Sequence, residues 1–177
     1  MPLGGVHFES MRKGIFFVAT LAGLGVCLFL YPFWALTLSQ DDRILTIRWI
    51  KPGDTFQLAF LHSIALSEVR DFFLIDSDYR IVLIETRFQG QGTGLPYNPE
   101  EGEKLHREGE WFRISGMRRV VPSISWRVQS RWQNRFRFGN DSEANLSAKI
   151  GDSLILIRVQ KLSVASYFGA RLTSKNL

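Results

Sequence analysis

The chain has one cysteine, Cys27, in 177 residues and none after it. No disulfide can brace whatever folds downstream, and no thiolate can act there as a nucleophile or ligand. Histidine is nearly as scarce. His7, His62 and His106 are far apart, and their acidic neighbours are ordinary, so no multi-ligand metal spacing is present. No metal and no other cofactor is expected. No long Gly/Ser or Pro linker, internal repeat or low-complexity tract divides the chain. The stability of the downstream part must come from apolar packing.

What is present first is a run without charge. Residues 14–38, GIFFVATLAGLGVCLFLYPFWALTL, follow the basic pair Arg12–Lys13. About 25 apolar residues can cross the roughly 30 Å hydrocarbon core of a bilayer as a helix. A secretory signal has a shorter apolar core of about 7 to 15 residues. The nearest small-x-small site, Ala35-Leu36-Thr37, ends on an unsuitable Thr, and Val26 is wrong before a lipidated cysteine. The segment is predicted to be an uncleaved signal anchor that holds the protein in the bilayer. The basic pair sets the N-terminus inside and the remainder outside. That gives a cytoplasmic head (1–13), a transmembrane helix (14–38), an exported domain (41–161) and a C-terminal tail (162–177) that suits a strand or a short helix. Tyr31, Phe33 and Trp34 suit an interfacial aromatic belt. The predicted address is the bacterial inner membrane, single-pass, with a periplasmic C-terminal domain.

The exported part has the periodicity of strands. RILTIRWI (43–50), TFQLAFLHS (55–63), VRDFFLI (69–75) and YRIVLIETRF (79–88) are short and rich in Ile, Val, Phe and Trp. Further strands are predicted over 110–114, 124–129, 134–138 and 153–160. Turn signals at Pro52-Gly53-Asp54, Asp76-Ser77-Asp78 and Gly139-Asn140-Asp141 separate them. About eight strands at this spacing predict an all-β fold, a small antiparallel β-sandwich or open barrel behind one transmembrane helix.

Two motifs stand in order. Phe60-Leu61-His62-Ser63-Ile64 precedes Val69-Arg70-Asp71, and Gly90-Gln91-Gly92-Thr93-Gly94-Leu95-Pro96 comes after the strand ending in Glu85-Thr86-Arg87-Phe88. Together they resemble the domain-of-unknown-function family numbered 1850, with its early HSV-x4-V-x-E run and later GAGLP loop. Here Ile64, Asp71 and Thr93 replace that family's Val, Glu and Ala. The similarity runs from about Thr55 to Lys161. The resemblance implies a small exported or membrane-anchored β-domain. It also implies company with TAXI-class tripartite ATP-independent periplasmic (TRAP) transporters. It implies no chemistry.

A Ser, a His and an Asp within ten residues invite a catalytic triad. Adjacent strand residues point to opposite faces, so His62 and Ser63 cannot pair as base and nucleophile in one strand. No enzyme is predicted. His62 shares a face with Phe56, Leu58 and Phe60, and Asp71 with Val69 and Phe73. A hairpin through 64–68 would make His62 and Asp71 near neighbours, either as a polar clasp or as a ligand-contacting pair. Gly90, Gly92 and Gly94 alternate and permit positive φ or an anion nest. They form no G-x-G-x-x-G, so a nucleotide site is not supported. Residues 111–138 hold Arg113, Arg118, Arg119, Arg127, Arg131, Arg135 and Arg137 among aromatics, with no acid. Outside the cell this composition suits anionic lipid, an acidic partner or a solvated face better than nucleic acid.

Two functions are expected on these grounds. One is a non-enzymatic accessory module, partnered by the bilayer and by a TRAP permease or its binding protein. The other is a solute- or lipid-binding β-domain with a pocket near His62, Ser63, Asp71 and the Gly90–Pro96 loop. For the first, the contact surface is Arg118, Arg119, Arg127, Arg131, Arg135 and Arg137.

Overall fold

The computed structural model describes residues 5–41, 43–90 and 99–173, with side chains for 13–41, 43–90 and 99–169. The chain opens with helix α1 (Gly5–Leu30). Its stretch Lys13–Leu30 is 18 residues long, apolar and unburied. At 1.5 Å per residue it spans about 27 Å, close to the thickness of a bilayer core. The helix stops earlier than 38. The residue before a proline is disfavoured in the α region, and Tyr31 precedes Pro32. Pro32–Gln40 is strand β1, not the end of a membrane helix. Phe33 and Trp34 consequently belong to the sheet. Phe33 stacks on Trp49 at 4.3 Å and Trp34 on Tyr79 at 4.7 Å. The β-structure thus begins at Pro32 and not at residue 41.

The remaining elements are β2 (Arg43–Trp49), β3 (Thr55–Leu61), β4 (Glu68–Ile75), β5 (Ile81–Gln89), β6 (Lys104–Glu108), β7 (Trp111–Val121), β8 (Ser123–Val128), β9 (Arg135–Phe138), β10 (Ala144–Asn145), α2 (Leu146–Ile150), β11 (Ser153–Ser163) and α3 (Val164–Thr173). All eight predicted strand segments are strands. β1, β6 and β10 are additional, and the tail after Ser163 is helical as far as Thr173. The pairing is antiparallel throughout the described residues. A four-stranded sheet runs β2-β1-β11-β8, and a seven-stranded sheet runs β10-β9-β3-β4-β5-β7-β6. The fold is all-β in two layers, a sandwich led by one apolar helix.

The layers close on a shared core. Leu36, Leu38, Trp126, Val128, Ile155 and Ile157 from the smaller sheet meet Phe56, Leu58, Phe73, Ile75, Ile81 and Phe136 from the larger. Each such side chain contributes about 1.5–3 kcal/mol by leaving water. The cross-strand pair Phe56–Phe73 stacks at 4.8 Å. A second cluster, Val69, Phe88, Phe112, Ile114 and Met117, covers another part of the larger sheet.

One irregularity positions the site. Phe112 and Ile114 face inward on β7, so strict alternation would send Met117 and Arg119 outward. Instead the β5–β7 register shifts between Leu83 and Glu85, where Leu83 faces Arg119 and Glu85 faces Ser115. Gly116 sits in this bulge with φ +78°, and a Cβ there would lie 2.9 Å from the Gly102 carbonyl oxygen. Only glycine fits such a turn without displacing backbone. β7 takes four steps from Ser115 to Arg119 where β5 takes two from Glu85 to Leu83, and across this bulge the facing of β7 reverses and turns Met117 and Arg119 inward. The chain then passes to the other layer through Pro122 alone, between β7 and β8.

Candidate functional site

Between the inner face of the larger sheet and β8 lies a cavity of about 670 Å³. One wall is Leu58 and Phe60 of β3 with Val69, Asp71 and Phe73 of β4. The opposite wall is Ile124 and Trp126 of β8. Leu83, Thr86, Met117 and Arg119 complete the larger sheet's share, and Gln129, Trp132 and Asn134 close one end. That end is rigid. The Trp132 indole N–H donates to Gln129 Oε1 at 2.7 Å, and the Gln129 N–H donates to Asn134 Oδ1 at 2.9 Å. The Asn134 N–H donates to Ser147 Oγ at 2.7 Å.

Asp71 is the polar centre of the apolar wall. Register places it between Leu58 and Thr86. The Thr86 hydroxyl donates to Asp71 Oδ1 at 2.9 Å, and no described residue donates to Oδ2. Burial pushes the carboxyl pKa up to about 6, against the smaller opposing effect of the Thr86 hydrogen bond. Asp71 is half-buried and lines the cavity.

His62 and Ser63 also line the cavity, at the end of β3. The expected clasp between His62 and Asp71 does not form. The hairpin register sets Leu61 opposite Glu68 and Leu58 opposite Asp71. His62 is occupied by its own turn. Its Nδ1 accepts the N–H groups of Ile64 and Ala65 at 3.4 and 3.2 Å, and its carbonyl accepts the Leu66 N–H at 2.8 Å. Accepting at Nδ1 places the proton of the neutral ring on Nε2. Among the described residues, His62 makes no hydrogen bond to Ser63 or to Asp71. Gly90 ends β5 with φ +75°, as its type allows. Gly92, Gly94, Leu95 and Pro96 lie outside the described residues. No group of three or more His, Cys, Asp or Glu side chains that could hold a metal occurs among the described residues.

The arginine-rich stretch does not form one surface. Arg119 lines the cavity, and its Nε and Nη2 donate to the two oxygens of Glu103 at 2.8 Å each. That pairing holds the Glu103 pKa below the usual carboxylate range. Arg118 faces the other way on β7, and Arg127 is exposed on β8. Arg131 lies over the Trp132 ring at 4.3 Å. Arg135 and Arg137 sit on the outer face of the larger sheet. Arg135 pairs with Glu68 and Glu143, and Arg137 donates to Gln57 Oε1 at 2.5 Å. Their neighbours on that face, Arg70, Arg87 and Arg113, come from three different strands in register. Composition along the chain could not group them, because the grouping is made by strand order.

Sequence reasoning also missed Thr86, Met117, Trp126, Trp132 and Asn134 as cavity residues. The alternation of β3 and β4 was legible and correctly put Leu58, Phe60 and His62 on one face and Val69, Asp71 and Phe73 on another. That both faces look into the same space depends on the packing of the second sheet.

Fold and site together define a two-layer antiparallel β-domain with an inter-sheet cavity, led by an apolar helix. The chain belongs to the family described as domain of unknown function (DUF1850), whose profile matches residues 56–144. The match covers the larger sheet from β3 to the start of β10, and it ends short of Lys161. The chain matches no curated protein and no solved structure.

Proposed function

We propose that this protein is a membrane-anchored, non-enzymatic binding domain whose inter-sheet cavity takes a small, largely apolar ligand, in service of a solute uptake system. The observation that carries the reading is the cavity itself. It is large enough for a small molecule, mostly apolar, and holds a single carboxylate, Asp71, among its described lining residues. The geometry of His62, Ser63 and Asp71 offers no activated nucleophile, which favours binding over turnover.

The strand next to α1 favours anchoring through that helix. β1 begins two residues after the helix ends and is a buried inner strand, with Ala35, Leu36 and Leu38 fully enclosed. Cleavage at Ala35-Leu36-Thr37 would cut through that strand. Tyr31, Trp49 and Phe168 remain exposed near the end of α1, where an aromatic girdle meets headgroups. The basic pair Arg12–Lys13 favours a cytoplasmic N-terminus and a periplasmic β-domain at the bacterial inner membrane. The association with a TRAP permease or its binding protein rests on the family resemblance.

Two measurements test these readings. Mass spectrometry of the purified full chain is expected to find a co-purified small molecule, absent from Met117→Trp, which fills the cavity. Equal recovery from that variant would remove the cavity from the function. A detergent pull-down is expected to recover a transporter component, and recovery of none would remove the uptake setting.

A further inference from the structure

We infer that the ligand of the inter-sheet cavity carries a cationic nitrogen on an apolar body, with the nitrogen bound by the free oxygen of Asp71. This rests on the reading of the cavity as a binding site. Charge balance inside a low-dielectric space is the physical ground. Asp71 is the sole carboxylate among the described residues that line the cavity. Thr86 satisfies Oδ1 only, which leaves Oδ2 of this cavity-lining residue as an acceptor without a donor among the described residues.

The positive groups nearby are committed elsewhere. Arg119 on β7 is bound through two nitrogens to Glu103, and Nη2 also lies 3.3 Å from Glu100. Arg127 also borders the cavity, but its residue is exposed on β8, where its neighbours Trp126 and Val128 take the buried face. His62, at the end of β3, accepts two backbone N–H groups at Nδ1. The unopposed charge of the cavity is therefore negative. A buried carboxylate without a partner is costly, and an entering ammonium or guanidinium relieves that cost. A fatty acid would instead set two carboxylates against each other. Phe60 and Trp126, edge to face at 6.4 Å, line the same space and favour a cation with an apolar stem.

The test uses the full chain in lipid nanodiscs and three water-soluble probes of similar shape: 2-phenylethylamine, 3-phenylpropionate and 2-phenylethanol. Calorimetry is expected to show the amine binding at least about tenfold more tightly than the other two. Asp71→Asn is expected to remove that advantage and leave the alcohol unchanged. Lowering the pH from 7.5 to 5 should weaken amine binding about tenfold as Asp71 takes a proton. Thr86→Val, which deletes the bond that favours the carboxylate, should move the midpoint of that pH profile upward. A merely structural Asp71 would not move it. Equal binding of all three probes, or preference for the carboxylate, would overturn the cationic ligand and leave the cavity reading standing. Binding of none would overturn both.

Discussion

Asp71 is the residue at which stability and the proposed binding part. Its carboxyl ionises at about 6 in the fold against an ordinary value of 3.8. The native state therefore holds a proton that the unfolded chain releases, across the interval between those values. As far as this group is concerned, stability is greatest below the lower value and falls as the pH rises through the upper one. At about 1.4 kcal/mol per pH unit, the ionised group costs up to about 3 kcal/mol at neutral pH. Asp71→Asn keeps the shape and removes the charge. It is expected to raise the melting temperature at pH 7.5 and to flatten the pH dependence of stability between about pH 4 and 6. An unchanged or lower melting temperature would show that the charge is well accommodated. The residue itself was legible in the sequence, through the strand alternation that sets it beside Val69 and Phe73. Its partner was not. Pairing with Thr86 depends on the register of β4 against β5, and no periodicity reveals register.

At the scale of elements, a bulge and a boundary decide most. The bulge at Gly116 turns Met117 and Arg119 into the cavity, and any side chain there meets the Gly102 carbonyl. Gly116→Val is expected to cost about 2 kcal/mol or more, measured by chemical denaturation, and to loosen the Arg119–Glu103 pair. A stability within about 0.5 kcal/mol of the parent would mean that the strand reaches the same facing without the bulge. The alternating Gly90, Gly92 and Gly94 draw the eye in the sequence, whereas Gly116 is a single glycine within a strand pattern, the weaker signal of a bulge. The boundary is that between α1 and β1. The apolar run passes from an exposed apolar helix to a buried strand without a charge, because a bilayer and a protein core would select the same side chains. Pro32 marks the change, since it ends the helix and opens the strand.

For the whole molecule, the boundary sets where the β-domain can be cut. A chain begun at residue 41 lacks β1, which lies between β2 and β11 and buries Leu36 and Leu38 completely. Loss of an inner strand removes more than the roughly 5–15 kcal/mol by which domains are stable. That fragment is expected to be unfolded by circular dichroism and heteronuclear NMR, whereas a chain begun at residue 31 should give dispersed spectra. A folded fragment from residue 41 would show the smaller sheet to be dispensable. In the proposed anchored form, α1 would confine the cavity to the membrane surface and raise its effective concentration toward membrane partners. The sequence by itself determined the apolar helix, the all-β class, the absence of disulfides and the faces of β3 and β4. These are local properties, carried by composition and by the two-residue period of a strand. Only the tertiary structure decided that β1 is a strand, that the arginines divide between cavity, edge and outer face, and that His62 serves its own turn while Asp71 takes Thr86. Each of those depends on strand order, register and the closure of one sheet on another, which bring together residues far apart in the chain.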